Sequence, residues 1–339
     1  MPVNETLSTF SDYSFRAALL IYVLALAFYA AEQAFGRSRR QAVQRQRERE
    51  LVGTGGRGDS SVESTAAATG RDTSDTDEES WSTISYARSL PDRVGRMAVA
   101  LTVLGILVHL ASLVLRGFAA GRVPWGNMYE FISVTCVSAV IAWVVVLRKV
   151  VARYVTAYVL LPVVILMFIA GTALYTTAAP VQPALDSYWI VIHVSTVAAS
   201  SGLLLVPGVA SVLYLFRRAN AANPQRFAGF VSRLPSEAVL DRIAYRTTVF
   251  AFPIYTFAII VGAVWAEAAW GRFWGWDPKE TVSFIAWVIY AAYLHSRATA
   301  GWRGIRAAVI NTVGFAAMIF NLFFVNLVTA GLHSYAGVG

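Results

Sequence analysis

The sequence predicts an all-α, polytopic membrane protein with about eight transmembrane helices and both termini outside. Three observations carry this. Hydrophobic residues make up 57% of the 339-residue chain and charged residues 14%, with a mean hydropathy of +0.55. Soluble domains sit at about 45–50% apolar and about 25% charged. The apolar residues gather into eight stretches of about 20 residues, the length a helix needs to cross the hydrocarbon core. Lys and Arg concentrate on alternate connections, as the positive-inside rule expects.

In order, the stretches run roughly 14–35, 97–115, 128–147, 155–174, 189–216, 247–267, 281–296 and 307–328. The first lacks a basic region before its apolar core and has no A-x-A site after it, so it reads as a helix rather than a signal peptide. With the N-terminus outside, the cytoplasmic loops are 36–96, 148–154, 217–246 and 297–306, and they hold 23 of the 28 Lys and Arg residues. Only Arg16, Arg116, Arg122, Arg272 and Lys279 fall near the outer face. Topology thus accounts for the net charge of +8, and a nucleic-acid surface is not needed to explain it. The chain divides into a first helix (1–36), a basic and disordered cytoplasmic loop (37–95) and a seven-helix membrane domain (96–339). Within the loop, residues 50–80 are rich in Gly, Ser, Thr and Asp and have little to bury. In 219–245, Val239, Leu240, Ile243 and Ala244 recur at helical spacing, which predicts an amphipathic helix on the cytoplasmic surface.

The single cysteine, Cys136, excludes a disulfide within the chain, a CxxC redox pair and a Cys-based zinc site. Any thiol chemistry must come from a partner or a substrate. Between the sixth and seventh spans lies a segment, 270–280, with Trp270, Trp274 and Trp276 among Gly271, Gly275, Asp277, Pro278, Lys279 and Glu280. Two readings are open. Interfacial tryptophans form belts at headgroup level. A compact cluster with glycines also suits a flat ligand, which needs large apolar partners and a few polar groups. Asp277 and Glu280 open the seventh span, with Pro278 suited to its first turn, so capping and ligand contact can coincide.

The four histidines sharpen the choice. His193 lies near the outer end of the fifth span and His333 just after the eighth, on the same face as the tryptophans. Two neutral imidazoles on opposite sides of a porphyrin would give bis-His iron ligation. Each alone could equally be an interfacial histidine bonded to a carbonyl or to water. His295 lies near the cytoplasmic end of the seventh span, about 20 Å below the tryptophans. It is either a ligand for a second haem or an interfacial side chain beside Arg297. His109, in the second span, does not match the depth of His295 and carries no assigned role. At the start of the third span, Asn127 can cap the helix and Glu130 suits its first turn. Asn127, Tyr129 and Glu130 could also wall the outer pocket.

The run Trp270-Gly271-x-x-Trp274-Gly275-Trp276-Asp277-Pro278-Lys279-Glu280 resembles the tryptophan-rich WWD motif of haem-handling proteins. Within that superfamily the chain resembles the CcsA-type (ResC-type) subunit of system II cytochrome c biogenesis, over about 95–339. Pro124 with Asn127-Met128-Tyr129-Glu130 is a second, weaker match. The resemblance implies haem b as substrate and bound ligand, held on the WWD segment between His193 and His333. It implies His295 as a ligand of an inner haem, whose other axial ligand comes from a ResB-type membrane subunit. It further implies an apocytochrome c whose CxxCH cysteines add to the haem vinyl groups, and an extracytoplasmic thioredoxin-like reductant that keeps those thiols reduced. The protein would act as a cytochrome c synthase subunit in the plasma membrane, with its active face extracytoplasmic. A haem exporter without attachment activity and a di-haem electron carrier are the competing readings.

Overall fold

The computed structural model describes residues 3–54, 90–147, 153–180, 187–299, 301–329 and 331–333, and among these there are helices and no strands. The long helices are α1 (Glu5–Thr54), α2 (Leu90–Ala120), α3 (Met128–Leu147), α4 (Thr156–Thr172, after a 3-10 turn at Arg153–Val155) and α5 (Tyr188–Ala222). A single turn, α6 (Ala228–Val231), leads to α7 (Glu237–Trp270), α8 (Pro278–Ala298) and α9 (Ile305–Phe320), which ends in a π turn at Asn321–Val325.

These helices cover all eight expected spans. Six are long and apolar enough to cross a membrane: Glu5–Ala34, Arg93–Ala120, Met128–Leu147, Tyr188–Ala222, Glu237–Trp270 and Ile305–Val325. Helix α4 is shorter, at 17 residues. Helix α8 has 21, but Lys279, Glu280 and Arg297 at its ends reduce its apolar character. The chain is a multi-pass membrane protein.

Contacts at the helix ends establish the alternation. The N–H of Asn4 meets the Ala119 carbonyl, Arg116 of α2 reaches Asp12, Glu130 and Thr176, and Lys279 reaches Asn326. So the start of α1 and the end of α9 share one end of the bundle, here called the tryptophan end. At the opposite end Arg153 pairs with Glu32, and Arg297 forms a forked pair with Asp241 at 2.6 and 2.9 Å.

Helices α1–α5 enclose the main core, in which Tyr22, Ile132, Trp143, Leu160 and Met167 are almost wholly buried. A smaller core joins α5, α7 and α8 through Leu204, Ala251, Tyr255, Ala286 and Tyr290. In lipid, helices associate through close packing and small residues rather than through expulsion of water. Gly202 illustrates this: a Cβ there would stand 2.3 Å from the Thr135 carbonyl oxygen, so α5 can approach α3 only with glycine at that place.

Two expectations change. The amphipathic helix expected on the membrane surface is instead the first two turns of α7. Leu240, Ile243 and Ala244 turn into the core of the bundle, and no break precedes the membrane-crossing part. An apolar stripe at helical spacing has the same pattern whether lipid or protein covers it. The backbone of α1 also stays helical to Thr54, and α2 begins at Leu90, inside the expected loop. Residues 55–89, which include most of the stretch read as disordered, lie outside the described residues.

Candidate functional site

Helix α7 stops at Gly271, which takes the left-handed conformation (φ 69°) and donates its N–H to the Glu267 carbonyl. Glycine adopts this conformation without the penalty of a Cβ. Helix α8 restarts at Pro278 behind a capping box. The Asp277 side chain accepts the Lys279 N–H at 3.0 Å, and Glu280 accepts the N–H groups of Gly275 and Asp277 at 2.8 and 3.2 Å. The tryptophan segment is therefore a short bridge pinned at both ends.

Asp277 does more than cap. Its Oδ1 accepts the Nδ1–H of His333 at 2.9 Å, and its Oδ2 accepts the Leu332 N–H at 2.7 Å. Gly331 makes room, since a Cβ there would meet Oδ2 at 2.5 Å. Burial works against the charge of Asp277. The bonds from His333 and from the N–H groups of Leu332 and Lys279 outweigh it and hold the pKa down to about 2. The stability this carboxylate adds is complete above about pH 4 and is lost only as the pH falls through its folded value. At neutral pH it fixes the His333 tautomer in which Nε2 carries the lone pair.

His193, on α5, reaches the same state by another route. Its Nδ1 lies 2.9 Å from the Ala258 carbonyl oxygen. A carbonyl can only accept, so Nδ1 carries the proton and Nε2 the lone pair. The imidazole sits against Gly262 of α7, where a Cβ would lie 2.5 Å from its Cε1. Trp265, 1% exposed, stands beside both histidines. Its ring is stacked with that of His193 at 5.9 Å and 11°, and inclined to that of His333 at 6.0 Å. Trp270 completes the group, 4.7 Å from Trp265 and 5.1 Å from His333.

His193, Gly262 and His333 border a cleft with an internal volume of about 100 Å³, partly open to the outside. Its walls come from α3 (Phe131), α5 (His193, Val197), α7 (Tyr255, Ile259, Gly262), the bridge (Phe273, Trp274), α8 (Lys279, Glu280, Ser283), the π turn and His333. The lining is mostly apolar with a few convergent polar groups, the composition of a ligand pocket. Two imidazoles can occupy axial positions on a metal, but equatorial donors must arrive with the ligand. Among the described residues no three His, Cys, Asp or Glu side chains converge to hold a metal ion by themselves.

The structure brings His193, His333, Trp274, Lys279 and Glu280 to the lining of this cleft, while Trp270 and Asp277 contact His333 without lining it. Gly271 and Pro278 set the helix ends that frame it. Trp276, 67% exposed and left-handed (φ 57°), turns away, with its ring edge-on to Trp274 and Phe284. His295 is exposed on α8 at the opposite end of the bundle. Asn127, Tyr129 and Glu130 are not in the cleft lining. Asn127 caps α3, accepting the Glu130 N–H at 2.9 Å, and Tyr129 packs against Phe15 and Tyr175. Glu130 takes Arg116 and Arg122 from α2 and the loop after it, plus the Gly126 N–H. His109 is buried among α1, α2 and α3 and hydrogen-bonded to Ser133 at 2.8 Å.

Sequence reasoning missed Trp265, Gly262 and the Ala258 carbonyl. A faint signal existed: Ala258, Gly262 and Trp265 fall four and three residues apart on one helix face, which then leads into the tryptophan segment. It also missed Asn321 and Asn326, for which the sequence carries no local sign.

Residues 125–333, which span the whole of this cleft, match the family described as cytochrome c assembly protein. The cytochrome c biogenesis protein CcsA of Prochlorococcus marinus (strain MIT 9313) is 36% identical over 262 residues, which cover 69% of this chain and 82% of that protein. The one from Synechococcus sp. (strain CC9605) is 34% identical over 274 residues, covering 74% and 90%. The one from Chlamydomonas reinhardtii is 40% identical over 159 residues, covering 47% and 43%. With the match extending from the start of α3 to His333, the chain belongs to the cytochrome c assembly family, as a CcsA-type membrane protein of cytochrome c biogenesis.

Proposed function

We propose that this protein binds haem b between His193 and His333, on the extracytoplasmic side of the plasma membrane, and presents it for thioether attachment to an apocytochrome c. The observation that carries the reading is the paired orientation of the two imidazoles. Each has its Nδ1–H tied to an acceptor, which makes Nε2 the nitrogen suited to ligation, and both imidazoles line a largely apolar cleft beside Trp265. A porphyrin supplies the four equatorial nitrogens that the protein lacks, and histidine ligands oriented in this way are the usual axial pair.

The attachment adds an S–H bond across each vinyl group. The sulfur joins one vinyl carbon and the proton joins the other, with no leaving group and no net oxidation. The thiols come from the CxxCH segment of the apocytochrome, because Cys136 is buried within α3. This chain's own contribution is placement. It holds the ligand flat, excludes water and leaves one edge facing the cleft mouth. At the other end of the bundle, the exposed His295 suits haem arriving on the cytoplasmic side. A ResB-type subunit would supply the second ligand there. A thioredoxin-like reductant outside the membrane would keep the apocytochrome thiols free.

The test is a visible spectrum of the protein purified with its ResB-type partner, followed by an attachment assay with an apocytochrome c. A Soret band with sharp reduced α and β bands, together with covalent product, is expected. An intact complex with no chromophore would overturn the haem reading. A normal spectrum without covalent product would leave an exporter.

The cradle for His193 makes a further prediction. Gly262→Ala drives a methyl group into the imidazole and breaks its bond to Ala258. Haem affinity should fall by about 10–100-fold, the usual effect of losing the group that orients a ligating histidine. Circular dichroism should report unchanged helix content. Unaltered affinity would mean that His193 is not held in this way.

A further inference from the structure

One feature of the cleft is not needed to bind iron. Lys279 lines it, at the start of α8, and its Nζ donates to the Oδ1 of Asn326. Among the described residues no carboxylate lies within ion-pair distance of this ammonium group. The neighbouring acids in sequence are hydrogen-bonded elsewhere: Asp277, which favours the ammonium charge only at longer range, with His333 and two N–H groups, and Glu280 with Gly275 and Asp277. A cation drawn into a mostly apolar site beside neutral amides is poorly compensated, and such groups mark the place of an anion.

The π turn builds the rest of the subsite. In an α-helix of about 3.6 residues per turn, residues five apart point in different directions. The wider π turn at Asn321–Val325, closed by i→i+5 bonds, brings Asn321 and Asn326 to the same side, and π turns of this kind recur at functional sites. Both asparagines line the cleft. The Asn326 amide donates to the Leu322 carbonyl at 2.7 Å, so its oxygen is turned to Lys279. Asn321 Nδ2 donates to Ser283 Oγ at 2.8 Å, which leaves the Ser283 hydroxyl proton to donate in turn. The Oδ1 of Asn321 is buried without a hydrogen-bond partner. A buried amide atom of that kind is an unmet hydrogen-bonding position beside the cleft, and turning the amide over exchanges it for a second donor.

We propose that Lys279, with Ser283 and the two π-turn asparagines, seats a carboxylate of the ligand in the cleft. On the reading above, from which this inference follows, that carboxylate is one haem propionate. Its anchoring would fix the porphyrin's rotation about the iron axis, and so which edge carries the vinyl groups to the cleft mouth. Axial ligands alone leave that rotation free.

The test compares haem with its dimethyl ester, in which both propionates are blocked, by titrating the full chain in lipid nanodiscs and following the Soret band. The wild type should prefer the diacid by about tenfold, the scale of one charge-assisted contact. Lys279→Met should bring the ratio close to one while the ester binds as before, and Lys279→Arg should retain the preference. Comparing ratios between variants cancels the unequal partitioning of the two ligands into lipid, and ester binding reports that the variant is folded. Equal binding of both ligands by the wild type, or an unchanged ratio in Lys279→Met, overturns the carboxylate seat and leaves the haem reading standing. If neither ligand shifts the band in the wild type, the haem reading falls and this inference with it.

Discussion

His193→Ala and His333→Ala each abolish holocytochrome c formation while the protein remains at normal abundance in the membrane. Each imidazole meets the cleft on one side and is oriented from behind, by the Ala258 carbonyl or the Asp277 carboxylate. Loss of an orienting partner alone costs about 10–100-fold in metal affinity, so loss of the ligand should exceed about 100-fold. Neither residue belongs to the hydrophobic cores of the bundle. His193 lies at the cleft wall, and His333 follows the last helix. Western blotting of membranes, with a haem stain for covalent cytochrome, separates loss of function from loss of protein. Wild-type yield in either variant would remove that histidine from the ligand pair. Asp277→Asn is the informative companion: it spares the imidazole and turns one of the two acceptor oxygens that serve His333 and Leu332 into a donor, so it should weaken haem binding less than His333→Ala.

Glu130→Ala has an effect of similar size but of a different kind, and the protein fails to accumulate. The carboxylate is 0% exposed and Arg116 is 1% exposed. Glu130 Oε1 accepts from Arg116 Nε at 2.9 Å and from Arg122 at 3.1 Å, while Oε2 accepts from Arg122 at 2.7 Å and from the Gly126 N–H at 2.8 Å. Arg116 also reaches Asp12 of α1 and the Thr176 carbonyl after α4. Four helices are thus tied at the tryptophan end around Arg116, with Glu130 as its most buried acid. Removing one member of a buried pair costs about 3–5 kcal/mol, because the remaining charge is left unpaired. That is a large part of the stability of a typical domain. Membrane abundance and the thermal midpoint of the purified protein should both drop, with Glu130→Gln intermediate. If both hold steady and the haem spectrum changes instead, Glu130 belongs to the ligand pocket.

The sequence by itself determined the all-helical, membrane-crossing plan, the place of each span and the landmarks of the site. The reason is local. In lipid every backbone group must be satisfied within its own helix, so an apolar run of sufficient length is a helix wherever it packs. Capping is local too. Asn127 at the start of α3 and the Asp277–Glu280 box at the start of α8 were legible from residue type and spacing. The tryptophan segment and the shared end of His193 and His333 followed from counting spans.

Only the tertiary structure decided what faces what. Spacing cannot show that Leu240 and Ile243 turn into the protein rather than onto the membrane, since the pattern is the same for both. It did not distinguish Glu130 as a pocket wall from Glu130 as the centre of an arginine cluster, because Arg116 is fourteen residues away on another helix. The Ala258 carbonyl, the space at Gly262 and the indole of Trp265 all act on a histidine more than sixty residues distant. Asn321 and Asn326 share a wall only because the helix widens there by one residue per turn. Helix formation depends on neighbours in the chain, whereas a ligand site depends on neighbours in space, and those are decided by how the helices pack.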